Sequence, residues 1–116
     1  MTDRELLARA AKAAGYEVCW ADGPEHAPVK AADDGTAAWY HWNPLTDDGD
    51  ALRLAVKLRI DLFNYSGPPI HGAPHVDAVH MNGASHGNAS EDIGADPYAA
   101  TRRAIVRAAA TMSEEA

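Results

Sequence analysis

Three stretches of the chain place apolar residues at helical spacing, and each opens on a residue that can cap a helix. The first runs from Asp3 to Ala14, with Thr2 or Asp3 as cap and Gly15 as stop. Leu6, Leu7, Ala10, Ala13 and Ala14 form its apolar stripe. The second follows Pro44, is capped by Thr46 or Asp47, and carries Ala51, Leu52, Leu54, Ala55, Val56 and Leu58 through about Arg59. The third opens on Asp96-Pro97 and reaches about Met112, with Tyr98, Thr101, Ile105, Ala108, Ala109 and Met112 on one face. Three one-sided helices must bury their stripes against another layer.

The residues between the helices can supply that layer. Tyr16 to Ala21 alternates Tyr16, Val18 and Trp20 against Glu17 and Cys19, and Thr36 to Trp42 reads as a second, aromatic-rich strand. Ile60 to Tyr65 and His75 to Met81 alternate in the same way and predict a hairpin. Pro and Gly mark Asp22 to Gly35 as loop, and Asn82 to Ala95 reads as a Gly/Ser/Asn/His loop. The expectation is an α+β fold: a small antiparallel sheet of about four strands packed with three helices. It forms one domain over residues 1–112, followed by a short acidic tail, 113–116. A chain of 116 residues buries roughly two thirds of its unfolded surface, enough for one core.

Composition excludes several classes. Cys19 is the only cysteine, so neither an intramolecular disulfide nor a Cys-rich zinc site is possible, which fits a reducing cytoplasm. Thr2-Asp3-Arg4-Glu5 is followed by no long apolar stretch, so no signal peptide is expected, and no run approaches a membrane span. The net charge of −7, from ten Lys and Arg against seventeen Asp and Glu, excludes a generic binder of long nucleic acid. Every basic residue but Lys30 falls in or at the end of a predicted helix, and none lies between Ile60 and Thr101. An anion site must therefore use helix side chains or backbone N–H groups.

Trp42-Asn43-Pro44-Leu45-Thr46-Asp47-Asp48-Gly49-Asp50-Ala51 resembles the signature of the phage ABA-sandwich domain. That signature is a Trp, a Pro two later, a Ser/Thr-Asp, and an Asp-Ala entering a helix. Its structural residues fall here on Trp42, Pro44, Thr46, Asp47 and Asp50. A second mark is an Ala-rich C-terminal helix with a central Ala-Ile, here Ala104-Ile105 within Thr101 to Ala109. The architecture is also similar to the Thoeris anti-defence sponge branch of small phage proteins. Those proteins oligomerise and sequester cyclic ADP-ribose isomers, and some hold cyclic oligonucleotides, without turning them over. The resemblance implies a phage or prophage protein acting in the cytoplasm of an infected bacterium as a homo-oligomer. It also implies that Arg103 and Arg107, one helical turn apart, hold phosphates.

The residues themselves allow further candidates. Arg103 and Arg107 lie about 40° apart around their helix and can donate jointly to a pyrophosphate. As like charges at i,i+4 they repel, so a partner is expected; a neighbouring carboxylate or water would serve equally. Tyr40 can stack on a base, and Asn82 and Ser85 can close over a ligand with backbone donors. His71, His75, His80 and His86 lie on loops and a strand at irregular gaps, unlike a zinc set. Asp47, Asp48 and Asp50 lack the spacing of a calcium loop and suit helix capping. No cofactor is expected. The leading reading is a non-catalytic sponge for a small anionic nucleotide. The rivals are an acidic inhibitor that docks on a host defence nuclease through loop 22–34 and stretch 91–96, and a hydrolase that uses the histidines.

Overall fold

The computed structural model describes residues 2–20, 28–31, 38–65, 74–80 and 88–114. Helix α1 (Asp3–Ala14) is opened by a capping box: the Thr2 hydroxyl accepts from Glu5 N, and the Glu5 carboxylate accepts from Thr2 N. Gly15 closes it in the left-handed region at φ 74°. Helix α2 (Asp48–Leu58) is capped by Asp47, whose carboxylate accepts from Asp50 N at 2.8 Å. Helix α3 (Pro97–Glu114) starts where Asp96 Oδ1 accepts from the backbone of Tyr98 and Ala99, each at 3.1 Å. It continues through Ser113 and Glu114, two residues past the end at about Met112 that the sequence predicts; the Ser113 hydroxyl donates back to Ala110 O.

Among the described residues the strands form two antiparallel sheets of three rather than one sheet of about four strands. The first has the order β1 (Val18–Trp20), β2 (Pro28–Ala31), β3 (Trp39–His41). The second has the order β4 (Asp61–Tyr65), β5 (His75–Val79), β6 (Asn88–Asp92). Strands β2 and β6 fall in stretches read as loop. Pro28 suggests a break, yet it occupies the first position of its strand, where proline is tolerated. Asn88-Ala89-Ser90-Glu91-Asp92 has low strand propensity. Pairing with β5 and burial of Ala89 outweigh that preference.

Helix α3 is the centre of the packing. Ala104, Ile105, Val106, Ala108, Ala109 and Ala110 are all buried, so its apolar contact wraps well beyond one stripe. It touches α1, α2, β5 and β6. The expected single face fails at Tyr98, which is exposed near the helix start, and omits Ala104, Val106 and Ala110. Small side chains let the neighbouring backbones approach closely. From the second sheet, Val76, Ala78 and Ala89 meet the core, with Leu62 partly buried beside them. The first sheet joins this body through Tyr16, edge-on to buried Trp42 at 5.8 Å, and through Arg4 over the Trp20 ring at 4.7 Å.

Helix α2 also presents less of itself to the core than the sequence suggests. Ala51, Leu54, Ala55 and Leu58 are buried, while Leu52 and Val56 are exposed. Leu54 is 0% exposed and Leu52 61%, although both belong to the predicted apolar face. Leu54→Ala should therefore cost about 2–5 kcal/mol in urea unfolding, as a cavity in a packed core does. Leu52→Ala should stay within about 0.5 kcal/mol of the parent. Equal losses would contradict this placement of α2.

Candidate anion-binding site

Strand β6 puts Glu91 opposite Val76 of β5. Paired residues share a sheet face, and Val76 is buried in the core, so Glu91 points toward α3. There it meets both expected arginines. Arg107 Nη1 donates to Glu91 Oε2 and to Ser90 O, the latter at 3.0 Å. Arg103 Nε lies 3.4 Å from Glu91 Oε1, and its Nη1 donates to Asp3 Oδ1 at 3.1 Å. One carboxylate thus bridges two guanidinium groups from consecutive turns. That answers the i,i+4 repulsion and fixes where both side chains aim. The arginine side chains remain 41% and 42% exposed, so these pairs are only modestly stabilising.

A cleft of about 390 Å³ opens beside this pair. Leu6 of α1, Asn88 and Ala89 of β6, and Ala110 and Thr111 of α3 line it together with Arg103 and Arg107. In the sequence Glu91 is one acid in a stretch without Lys or Arg, and part of the acidic stretch 91–96 of the inhibitor reading, with nothing to mark it as the partner of the arginines. Its role depends on a strand that propensity does not favour.

The other candidates fall elsewhere. Tyr40 does not line this cleft. It stands 54% exposed on β3, in a separate cleft with Tyr16, Lys30 and Arg53. Within one chain the first sheet therefore carries Tyr40 to a site separate from Arg103 and Arg107. Asn82 and Ser85 lie outside the described residues, as do His71 and His86. His75 stacks on Tyr65 at 4.8 Å, and His80 is buried. Among the described residues no three His, Cys, Asp or Glu side chains are grouped to hold a metal ion. The Ser90 hydroxyl donates to Asp77 rather than to an imidazole, an arrangement unlike a nucleophile and its base. No described helix is long and apolar enough to cross a membrane.

The Trp42–Asp50 segment is held by its own polar groups. Trp42 and Pro44 are buried. Asn43 N–H donates to Asp50 Oδ2 at 3.0 Å, Asn43 Oδ1 accepts from Leu45 N at 3.1 Å, and the Thr46 hydroxyl reaches Asn43 O at 3.4 Å. Asp50 Oδ1 also accepts from Arg53 at 2.8 Å, a hydrogen bond that raises the Arg53 pKa above its ordinary value. Arg102 clamps the segment from α3, donating to Leu45 O at 2.9 Å and to Asp48 Oδ1 at 2.6 Å. These residues build a turn and a helix start, and their donors and acceptors are used internally.

Comparison with protein-family models, with curated proteins and with solved structures finds no match to this chain.

Asp47→Ala removes the cap of α2 and should cost about 1 kcal/mol in chemical denaturation, whereas Asp47→Asn should cost less because the amide oxygen still accepts. An equal, large loss in both variants would show that charge rather than capping is what Asp47 supplies.

Proposed function

We propose that the protein binds a small phosphate-bearing nucleotide through Arg103 and Arg107 and sequesters it without turnover. The observation that carries this reading is the convergence of both guanidinium groups on one carboxylate at the edge of a cleft. A phosphate presents two oxygens at a spacing close to that of a carboxylate and carries more charge. Glu91 thus occupies the position a ligand phosphate takes, and binding exchanges an internal anion for an external one. The cleft lies in the size range of small-molecule sites. Its lining offers hydrogen-bond donors and apolar walls, and the Thr111 hydroxyl is spent on Arg107 O.

The resemblance to the anti-defence sponges suggests the ligand class, a cyclic ADP-ribose isomer or a cyclic oligonucleotide. It also suggests the setting, a phage or prophage protein in the cytoplasm of an infected bacterium. Homo-oligomerisation is part of the same proposal: a second copy would enclose the part of the ligand that one half-open cleft leaves in water. The acidic exterior does not oppose it, because two or three phosphates need one arginine pair and not an extended positive face.

Calorimetry with cyclic ADP-ribose isomers and cyclic di- and trinucleotides tests the proposal, with chromatography of the recovered ligand to check that it is unchanged. Arg107→Ala should weaken binding by about 10- to 100-fold, the value of a charge-assisted hydrogen bond. Glu91→Gln, which removes the competing anion, should strengthen it by about 5-fold. Absence of binding across the panel, or an Arg107→Ala protein that binds as the parent does, would sink the proposal.

A further inference from the structure

The two edges of the second sheet are finished differently. At β6, Ser90 O accepts from Arg107, and the Glu91 carboxylate meets both arginines of α3. At β4, among the described residues, nothing bonds to the N–H and C=O groups of Asp61–Tyr65 that point away from β5. An unbroken register joins β4 to β5, so no bulge twists this edge away. The strand also holds neither Lys nor Pro, two residues that discourage further pairing. Such an edge is a template for one more strand.

An added strand meets two unlike surfaces, because its side chains alternate between the faces of the sheet. On the helix side, Leu62 of β4 lines a cleft of about 370 Å³ with Leu52 of α2 and with Tyr98 and Ile105 of α3. Asp48 and Arg102 at its rim are paired with each other at 2.6 Å, so the free walls are mostly apolar. Leu52 and Tyr98 are exposed, and exposed Val56, one turn on from Leu52, extends the apolar surface. On the opposite face of the sheet, the register sets Asp61, Phe63 and Tyr65 in a row along the edge, all exposed. Asp77 lies beside Phe63 and accepts from Ser90, and Asp92 follows on β6. No Lys or Arg lies between Ile60 and Thr101, and among the described residues no cation pairs with Asp61 or Asp92. This face is acidic and carries two open aromatic rings, a surface on which guanidinium groups pair and stack.

We propose that β4 accepts an extended segment of a partner protein as a fourth strand of the second sheet, and that this segment alternates apolar with basic residues. Its apolar side chains enter the cleft at Leu62, and its basic ones lie over Asp61, Phe63 and Tyr65. Charge selects such a partner over a second copy of this chain. The β4 strand of a copy brings another Asp61 and no cation, on a chain of net charge −7. The surface lies at the opposite edge of the sheet from the Arg103/Arg107 cleft and does not depend on the function proposed for that cleft.

The test uses the full chain and a synthetic peptide that alternates arginine and valine. Affinity is read by calorimetry, and amide hydrogen exchange along β4 by NMR. One control peptide has the same composition with its arginines and valines in two separate blocks; another alternates glutamate and valine. The arginine–valine peptide should bind and slow exchange at every second residue of β4, those whose amides point to the open edge. Both controls should bind at least about tenfold more weakly. Leu52→Ser, at an exposed position, should weaken the peptide by about tenfold with the unfolding midpoint unchanged. Asp61→Asn should weaken it by about 2- to 5-fold. No binding of the peptide overturns the proposal, as does binding that leaves β4 exchange unaltered or that Leu52→Ser does not weaken. A block peptide that binds equally well would reduce the effect to attraction by an acidic surface and overturn it too. Exchange along β4 that slows with protein concentration alone would assign the edge to a second copy instead.

Discussion

Helix α3 is buried by alanine. Ala104, Ala108, Ala109 and Ala110, with Ile105 and Val106, leave it thin enough for α1, α2 and the second sheet to close around it. From this apolar axis three arginines reach outward, each to a different element. Arg102 goes to Asp48 of α2 and to Leu45 O, Arg103 to Asp3 of α1, and Arg107 to Glu91 of β6, with Arg103 meeting Glu91 as well. The alanine surface sets how near the neighbours come, and the arginines set the register in which they sit. The cleft at Arg103 and Arg107 is a product of that arrangement, because its walls are α1, β6 and α3.

The charge balance takes a different meaning in this light. An excess of acid suggests a repelling outer surface, yet many of the carboxylates have internal work. Asp47 and Asp96 cap helices, Asp50 holds the turn before α2, and Asp3, Asp48 and Glu91 receive the arginines of α3. Such partly exposed pairs are individually weak. Their effect is mainly to direct side chains. The guanidinium groups of Arg103 and Arg107 are aimed at a common point, the Glu91 carboxylate; under the proposed function this lowers the ordering cost of binding.

The helices were legible because their signals are local. Thr2, Asp47 and Asp96 mark starts through hydrogen bonds within three residues, and Gly15 marks a stop through its own backbone. The sheets were legible only in part, since their pairing is decided at a distance. Ala89 and Glu91 become strand residues through β5, and no alternation in Asn88–Asp92 announces it. Helix faces were legible to within a stripe. Leu52 and Val56 match the apolar pattern but point away from the core, and Ala104 and Val106 are buried by neighbours that the period alone does not count. The arginine pair could be read from spacing. Its partner Glu91 could not, nor could the separation of Tyr40 from that pair.

The proposed function turns on Glu91 holding the place of a ligand phosphate between Arg103 and Arg107. The most direct measurement is NMR of the arginine Nε–Hε signals while inorganic pyrophosphate is added, in the parent and in the Glu91→Gln protein. Without ligand, the Arg103 Nε–Hε signal should differ between the two proteins. Pyrophosphate should then move it in both, saturating at lower concentration in Glu91→Gln. An Arg103 signal that is the same in both proteins and does not respond to pyrophosphate would contradict the claim.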